Sequence, residues 1–201
     1  METISTALSH GGVQGVYKHA STATDTEMTF AVFVPPHADG TRLPVVWYLS
    51  GLTCTHANVT EKGEFREVCA RLGLVLVAPD TSPRGEAVPD DPTGAYDFGL
   101  GAGFYVDATE EPFASNYRMW TYLTAELPAL AESSFPVRSN PASNHGAFHG
   151  WSWSAHHRAA SPGPLSQCLG VLADRGAFPG AMGTKGLRGI SRGRSSGVAK
   201  A

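Results

Sequence analysis

The chain has 201 residues, 42% of them hydrophobic and 16% charged, with a formal net charge of −3. That is enough apolar material for one α/β domain, and so small a charge gives no overall pull toward nucleic acid or an anionic membrane. No run of apolar residues is long enough to span a bilayer, and the opening METISTALSHGGVQG lacks the basic and apolar regions of a signal peptide.

In chain order, Met28 to Val34 alternates weakly between apolar and polar residues, and Pro44 to Ser50 and Leu74 to Ala78 are short apolar runs bounded by turn residues. All three read as strands, the last two buried on both faces. Between them Phe65, Val68, Cys69 and Leu72 recur at helical spacing and Gly73 offers a stop, which predicts a helix within Thr60 to Gly73. Strand, helix and strand in so short a stretch make a βαβ unit with parallel strands. Asp80 to Gly103, rich in Gly, Pro and Asp, reads as a long loop of the functional or disordered kind. Asn116 to Glu132 predicts a second helix, with Tyr117, Trp120, Tyr122, Leu123 and Leu127 toward one side and Pro128 kinking or ending it.

The composition changes near Asn140. Residues 1–140 hold 17 of the 18 acidic residues and carry −9; residues 141–201 hold one acid, Asp174, carry +6 and contain 11 of the 23 glycines. Two segments are expected: 1–140, part of an α/β domain, and 141–201, an unstructured tail. Cys54, Cys69 and Cys168 are odd in number and form no CxxC pair, which fits a reducing cytoplasm and neither a disulfide framework nor a zinc ribbon.

Chemistry begins at Tyr48-Leu-Ser-Gly-Leu-Thr-Cys-Thr55. A strand followed by Ser-Gly-Leu suits a backbone N–H turned toward a reacting carbonyl, with Gly51 and Leu52 at the turn. Alone, the pattern is more often that of an ordinary strand-end turn. The wider text is more specific. YLSGLTCT, APDTSPRG (Ala78 to Gly85), VPDD (Val88 to Asp91), YDFGLGAGFYVDAT (Tyr96 to Thr109) and NYRMWTYLTAELPAL (Asn116 to Leu130), in that order, resemble the S-formylglutathione hydrolase (esterase D) family over residues from roughly 10 to 140.

The resemblance implies an incomplete α/β-hydrolase fold, a mostly parallel sheet flanked by helices. It implies hydrolysis of S-formylglutathione to formate and glutathione in formaldehyde detoxification, with no cofactor or metal, and membership of a family that is often homodimeric. It makes the Leu52 N–H an oxyanion donor and sets Gly51 and Cys54 beside the active site, Cys54 not as the nucleophile. The family also needs a serine in a G-H-S-M-G-G elbow and, later, an Asp and a His. None is evident here, so no catalytic residue is assigned. Where the elbow belongs, the chain reads NHGAFHGWSWSAHHRAA.

Back-translation accounts for the gap. With the frame moved forward one base, the codons of Phe148, His149 and Gly150 permit Ser then Met, and Asn144 to Ala159 permit I-T-G-H-S-M-G-G-H-G-A-L-T-I-A-L. Gly176 to Gly183 likewise permit A-P-S-Q-V-P-W-G, another stretch of the family. Residues from about 141 therefore read as a frame-shifted product, one base gained or two lost.

Three features of the tail invite other functions. Gly150-Trp-Ser-Trp-Ser154 imitates a nucleophile motif around Ser152, but the match is partial and no strand is expected before it. His145 and His149 with His156 and His157 lack a carboxylate or thiol at metal-binding spacing. GLRGISRGRSSG has no aromatics, so a solvated tail is expected rather than an RNA-binding segment. Two readings stand: a hydrolase by ancestry that is inactive as it stands, or a non-catalytic fragment or binding module. A general carboxylesterase is the remaining alternative, and a sheet missing its middle strand predicts poor solubility.

Overall fold

The computed structural model describes residues 1–138 and, for the backbone alone, 145–148. One six-stranded sheet organises them: β1 (Glu2–Ser9), β2 (Gly12–Ser21), β3 (Thr26–Val34), β4 (Val45–Leu49), β5 (Val75–Pro79) and β6 (His145–Phe148), in the order β1-β2-β3-β5-β4-β6. Pairing is antiparallel from β1 to β5 and parallel for β4 with both β5 and β6. The three strands read from sequence are β3, β4 and β5, and the sheet with helices on both faces is of the expected α/β class, but among the described strands three of the five pairings are antiparallel where a mostly parallel sheet was expected, because the β1–β2–β3 antiparallel part was not foreseen.

β1 and β2 had no expected counterpart. They form a hairpin whose turn residues, His10 and Gly11, both take positive φ (49 and 74°), the pairing of a tight two-residue turn whose twist matches that of the strands. β1 is an edge strand exposed along nearly its whole length, so no buried face imposes an apolar alternation on its sequence.

Side-chain alternation along β3 and β5 divides the core in two. Phe30, Val32, Val75 and Val77 face one side with Val45 and Trp47 of β4; Ala31, Phe33, Leu76 and Ala78 face the other. The second side is covered by α1 (His56–Lys62) and α2 (Arg66–Leu72) through Val59 and Cys69. These replace the single helix expected over this stretch. Gly63 takes an extended conformation and ends α1, while Gly73, at φ 66°, closes α2 in the left-handed region where an L side chain would be strained.

The first side is covered by α3 (Met119–Thr121), a π turn (Tyr122–Glu126) and α4 (Leu127–Ser134), which bury Met119, Tyr122, Leu127 and Ala131 completely. Pro128 was expected to kink or end this helix; it does not end it, and stands in the first turn of α4, which continues to Ser134. The π turn lies just ahead of the proline, with the Leu127 N–H reaching the Tyr122 carbonyl, and so rearranges the backbone where a proline ring disrupts regular α geometry. Glu126, at the end of that turn, clamps the β2–β3 connection. Its carboxylate accepts from Ser21 Oγ (3.0 Å), Thr22 N–H (3.0 Å) and Ala23 N–H (2.7 Å).

β6 departs from the sequence reading. It lies in the span expected to lack strands and precedes Ser152 by four positions, where none was expected, so the middle of the parallel sheet is partly supplied. Main-chain pairing to the open edge of β4 is enough to make it, since the ladder depends on backbone groups common to every sequence.

Candidate active site

β4 runs toward its C-terminal end at Leu49 and opens into a tight turn, Ser50 to Cys54, before the N-cap of α1 at Thr55. The Cys54 N–H donates to the Gly51 carbonyl at 3.1 Å, closing a four-residue turn. Its third residue, Thr53, has φ 63°. A positive φ at that position is the hallmark of a type II turn and belongs to Gly or Asn; a β-branched residue there is strained.

The surroundings hold the turn. The Thr53 N–H donates to the Gly101 carbonyl at 2.8 Å. Tyr105 Oη donates to the Ser50 carbonyl, and Thr81 Oγ1 to the Cys54 carbonyl. Arg84 Nη2 donates to the same Cys54 carbonyl at 3.3 Å, while its Nε lies 3.2 and 3.1 Å from the two Asp80 oxygens. Gly103 passes so near that a Cβ on it would lie 3.4 Å from the Leu52 nitrogen, and its φ of 70° also favours glycine. The strap carrying it is one wall of an apolar crevice lined by Ser82, Phe98, Phe104 and Phe113.

Not every donor in the turn is taken up within the protein. Among the described residues the Leu52 N–H has no hydrogen-bond acceptor, and Leu52 is 37% exposed. A backbone N–H held in a rigid turn and free of a partner can donate to a developing oxyanion. Gly51 and Cys54 are half-buried on either side of it. The structure thus brings together the three residues singled out in the sequence. Sequence reasoning missed Thr81, Arg84, Gly101 and Tyr105, although the stretches containing them, APDTSPRG and YDFGLGAGFYVDAT, are among those that carry the family resemblance.

Burial governs the titrating groups here. It pushes the Tyr105 phenol far above its usual range, with the charges of Asp80, Cys54 and Tyr48 adding to it, so Tyr105 remains a neutral donor at any working pH. Burial also lowers His56, against the pull of Asp80 and Glu61, and His56 Nδ1 has no partner among the described residues. No group of three or more metal-ligating side chains occurs among those residues. Ser152, His149, His156 and His157 lie outside them, and the side chain of His145 is likewise not described.

β6 lies parallel to β4, with Phe148 opposite Leu49. The chain therefore leaves β6 at the same end of the sheet as the Ser50–Cys54 turn. Among the described residues no helix is long and apolar enough to cross a membrane.

The fold, with a turn of this kind at the C-terminal end of a parallel strand, is that of the α/β-hydrolase class, and the Esterase family model matches residues 21–157. S-formylglutathione hydrolase from Paracoccus denitrificans is 56% identical over 136 residues, 68% of this chain and 48% of that enzyme. The Bos taurus enzyme of the same name is 39% identical over 193 residues, 92% of this chain and 68% of its own length. A solved S-formylglutathione hydrolase from Agrobacterium tumefaciens superposes with a TM-score of 0.69 at 53% identity, covering 75% of this chain and 52% of that one. The chain belongs to the S-formylglutathione hydrolase family. It spans about half the length of several curated relatives, including those of Paracoccus denitrificans and Mus musculus.

Proposed function

We propose that residues 1–140 build the electrophilic half of a site for hydrolysing S-formylglutathione to formate and glutathione, with the Leu52 N–H as oxyanion donor and Gly51 and Cys54 beside it. The observation that carries this reading is the unpartnered Leu52 N–H in a turn braced at Ser50, Thr53 and Cys54. In the chemistry proposed, a serine attacks the formyl carbonyl, its oxygen becomes negative within reach of that N–H, and the thiolate leaves. Position 148, where the shifted frame yields Ser, ends the strand beside β4, which suits an elbow opening next to Leu52.

The 201-residue chain itself carries no assigned serine, Asp or His, and in this reading it does not turn over. The frame change near residue 141 is part of the proposal. Three relatives whose matched stretches are 136 or 137 residues long support it, while the longer, less identical match to the Bos taurus enzyme necessarily continues past residue 140. A cytoplasmic homodimer belongs to the same reading; on this chain the exposed edge strand β1 supports only the availability of a surface.

The test is to re-read the nucleotides across codons 136 to 150, then assay S-formylglutathione hydrolysis by the chain as it stands and by its frame-restored counterpart. Turnover by the restored form alone is the expected result. Turnover by the 201-residue chain would overturn its proposed inactivity. A restored form active only on simple esters would move the assignment to a general carboxylesterase. A restored form with no activity, beside a cooperatively folded monomer, would favour a binding module.

A further inference from the structure

We infer that Tyr105 and Arg84 are positioning residues for the Leu52 N–H, gripping the carbonyls on either side of a strained turn; the inference rests on the reading of Leu52 proposed above. The strain is local. Thr53 is β-branched and sits at φ 63°, a conformation that a free turn leaves by taking Thr53 to negative φ. That relaxation rotates the Leu52–Thr53 peptide and breaks the 2.8 Å bond from the Thr53 N–H to Gly101, so the turn that carries the Leu52 N–H loses its tie to the neighbouring strap.

Nothing within the turn opposes this except the bond from Cys54 to Gly51, which several turn types share. The opposition comes from outside. Tyr105, 2% exposed, fixes the Ser50 carbonyl at the entry. Arg84 fixes the Cys54 carbonyl at the exit, and its guanidinium is oriented by both Asp80 oxygens. The same guanidinium lies beside Gly101, where an added Cβ would come within 3.4 Å of Nη2, so one side chain touches both the turn and the strap that receives the Thr53 N–H. Thr81 shares the Cys54 carbonyl but does not bridge to the strap in this way.

The experiment records amide spectra and hydrogen exchange of the full 201-residue chain and of Tyr105→Phe, Arg84→Met and Arg84→Lys. In Tyr105→Phe and Arg84→Met the Leu52 and Thr53 resonances are expected to move, and exchange of the Thr53 amide to rise at least tenfold. The core amides of Phe30 and Val77 should keep wild-type protection. Arg84→Lys, which retains a donor and the charge, should recover part of the effect. Unmoved Leu52 and Thr53 resonances would overturn the inference, as would changes spread equally through the core. If Tyr105→Phe does not fold, the Arg84 pair decides, because that side chain is 40% exposed. These readouts require no turnover: a chain that shows the expected changes but hydrolyses nothing leaves this inference standing and overturns only the proposed activity.

Discussion

The Ala23 N–H donates to Glu126 Oε2 at 2.7 Å, joining the turn between β2 and β3 to the π turn ahead of α4. The same carboxylate accepts from Ser21 Oγ and Thr22 N–H, so a single side chain closes a connection more than a hundred positions apart in sequence. Glu126→Ala removes every one of these acceptors. A loss of about 1–3 kcal/mol is expected from the stranded donors. Urea unfolding should show a lower midpoint with an unchanged slope.

His19 packs against this clamp. Its ring stacks on Tyr122, its Nε2 lies 3.2 Å from the Tyr122 hydroxyl, and its Nδ1 lies 3.8 Å from Glu126. Burial lowers its pKa below 6.5, outweighing the attraction of Glu126. The folded state therefore prefers the neutral ring. The associated stability is present above the unfolded-state pKa and is lost as the pH falls through 6.5 toward the lower folded-state value. His56 contributes with the same sign. Melting temperatures from pH 8 down to 5 should decline, and His19→Gln should flatten part of that decline. A profile identical to wild type would show that His19 is not among its sources.

Thr53 offers a test of strain. Thr53→Asn keeps a Cβ but tolerates the left-handed region, so stability should rise by about 0.5–1 kcal/mol. Thermal unfolding at fixed pH checks the sign. A loss of stability would mean that the threonine side chain contributes more than its backbone conformation costs.

Burial predicts a contrast between two leucines. Leu127 is wholly buried beneath the sheet, whereas Leu72 at the end of α2 is 59% exposed. Leu127→Ala should cost about 2–5 kcal/mol, and Leu72→Ala is expected to stay within about 0.5 kcal/mol. Equilibrium denaturation of the pair measures the difference directly.

The inner strands were legible because burial on both faces writes itself into sequence as unbroken apolar runs, as in Val75 to Ala78. β1 was not, because an exposed edge demands no pattern. The break between α1 and α2 escaped notice because the apolar spacing from Phe65 to Leu72 belongs to α2 and its approach, while α1 buries only Val59. Leu52 could be placed by the strand-end rule. Tyr105 and Arg84 could not: they act on carbonyls 55 and 30 positions earlier, and no spacing rule links a side chain to a backbone group across a loop. β6 was missed for a different reason, since it is held by main-chain pairing that an apolar pattern need not announce.

The register that sets Val46 opposite His145 also orders the assembly of the sheet in time. β1, β2 and β3 meet across short connections, and β4 finds β5 across one helical crossover. The β4–β6 contact must close a loop of roughly a hundred residues, an entropic cost that the nearer pairings escape. A nascent chain can therefore complete most of its sheet before β6 has left the ribosome. When the folded protein opens, the seam between β4 and β6 should part first, exposing the flank of the strand that leads into the Leu52 turn.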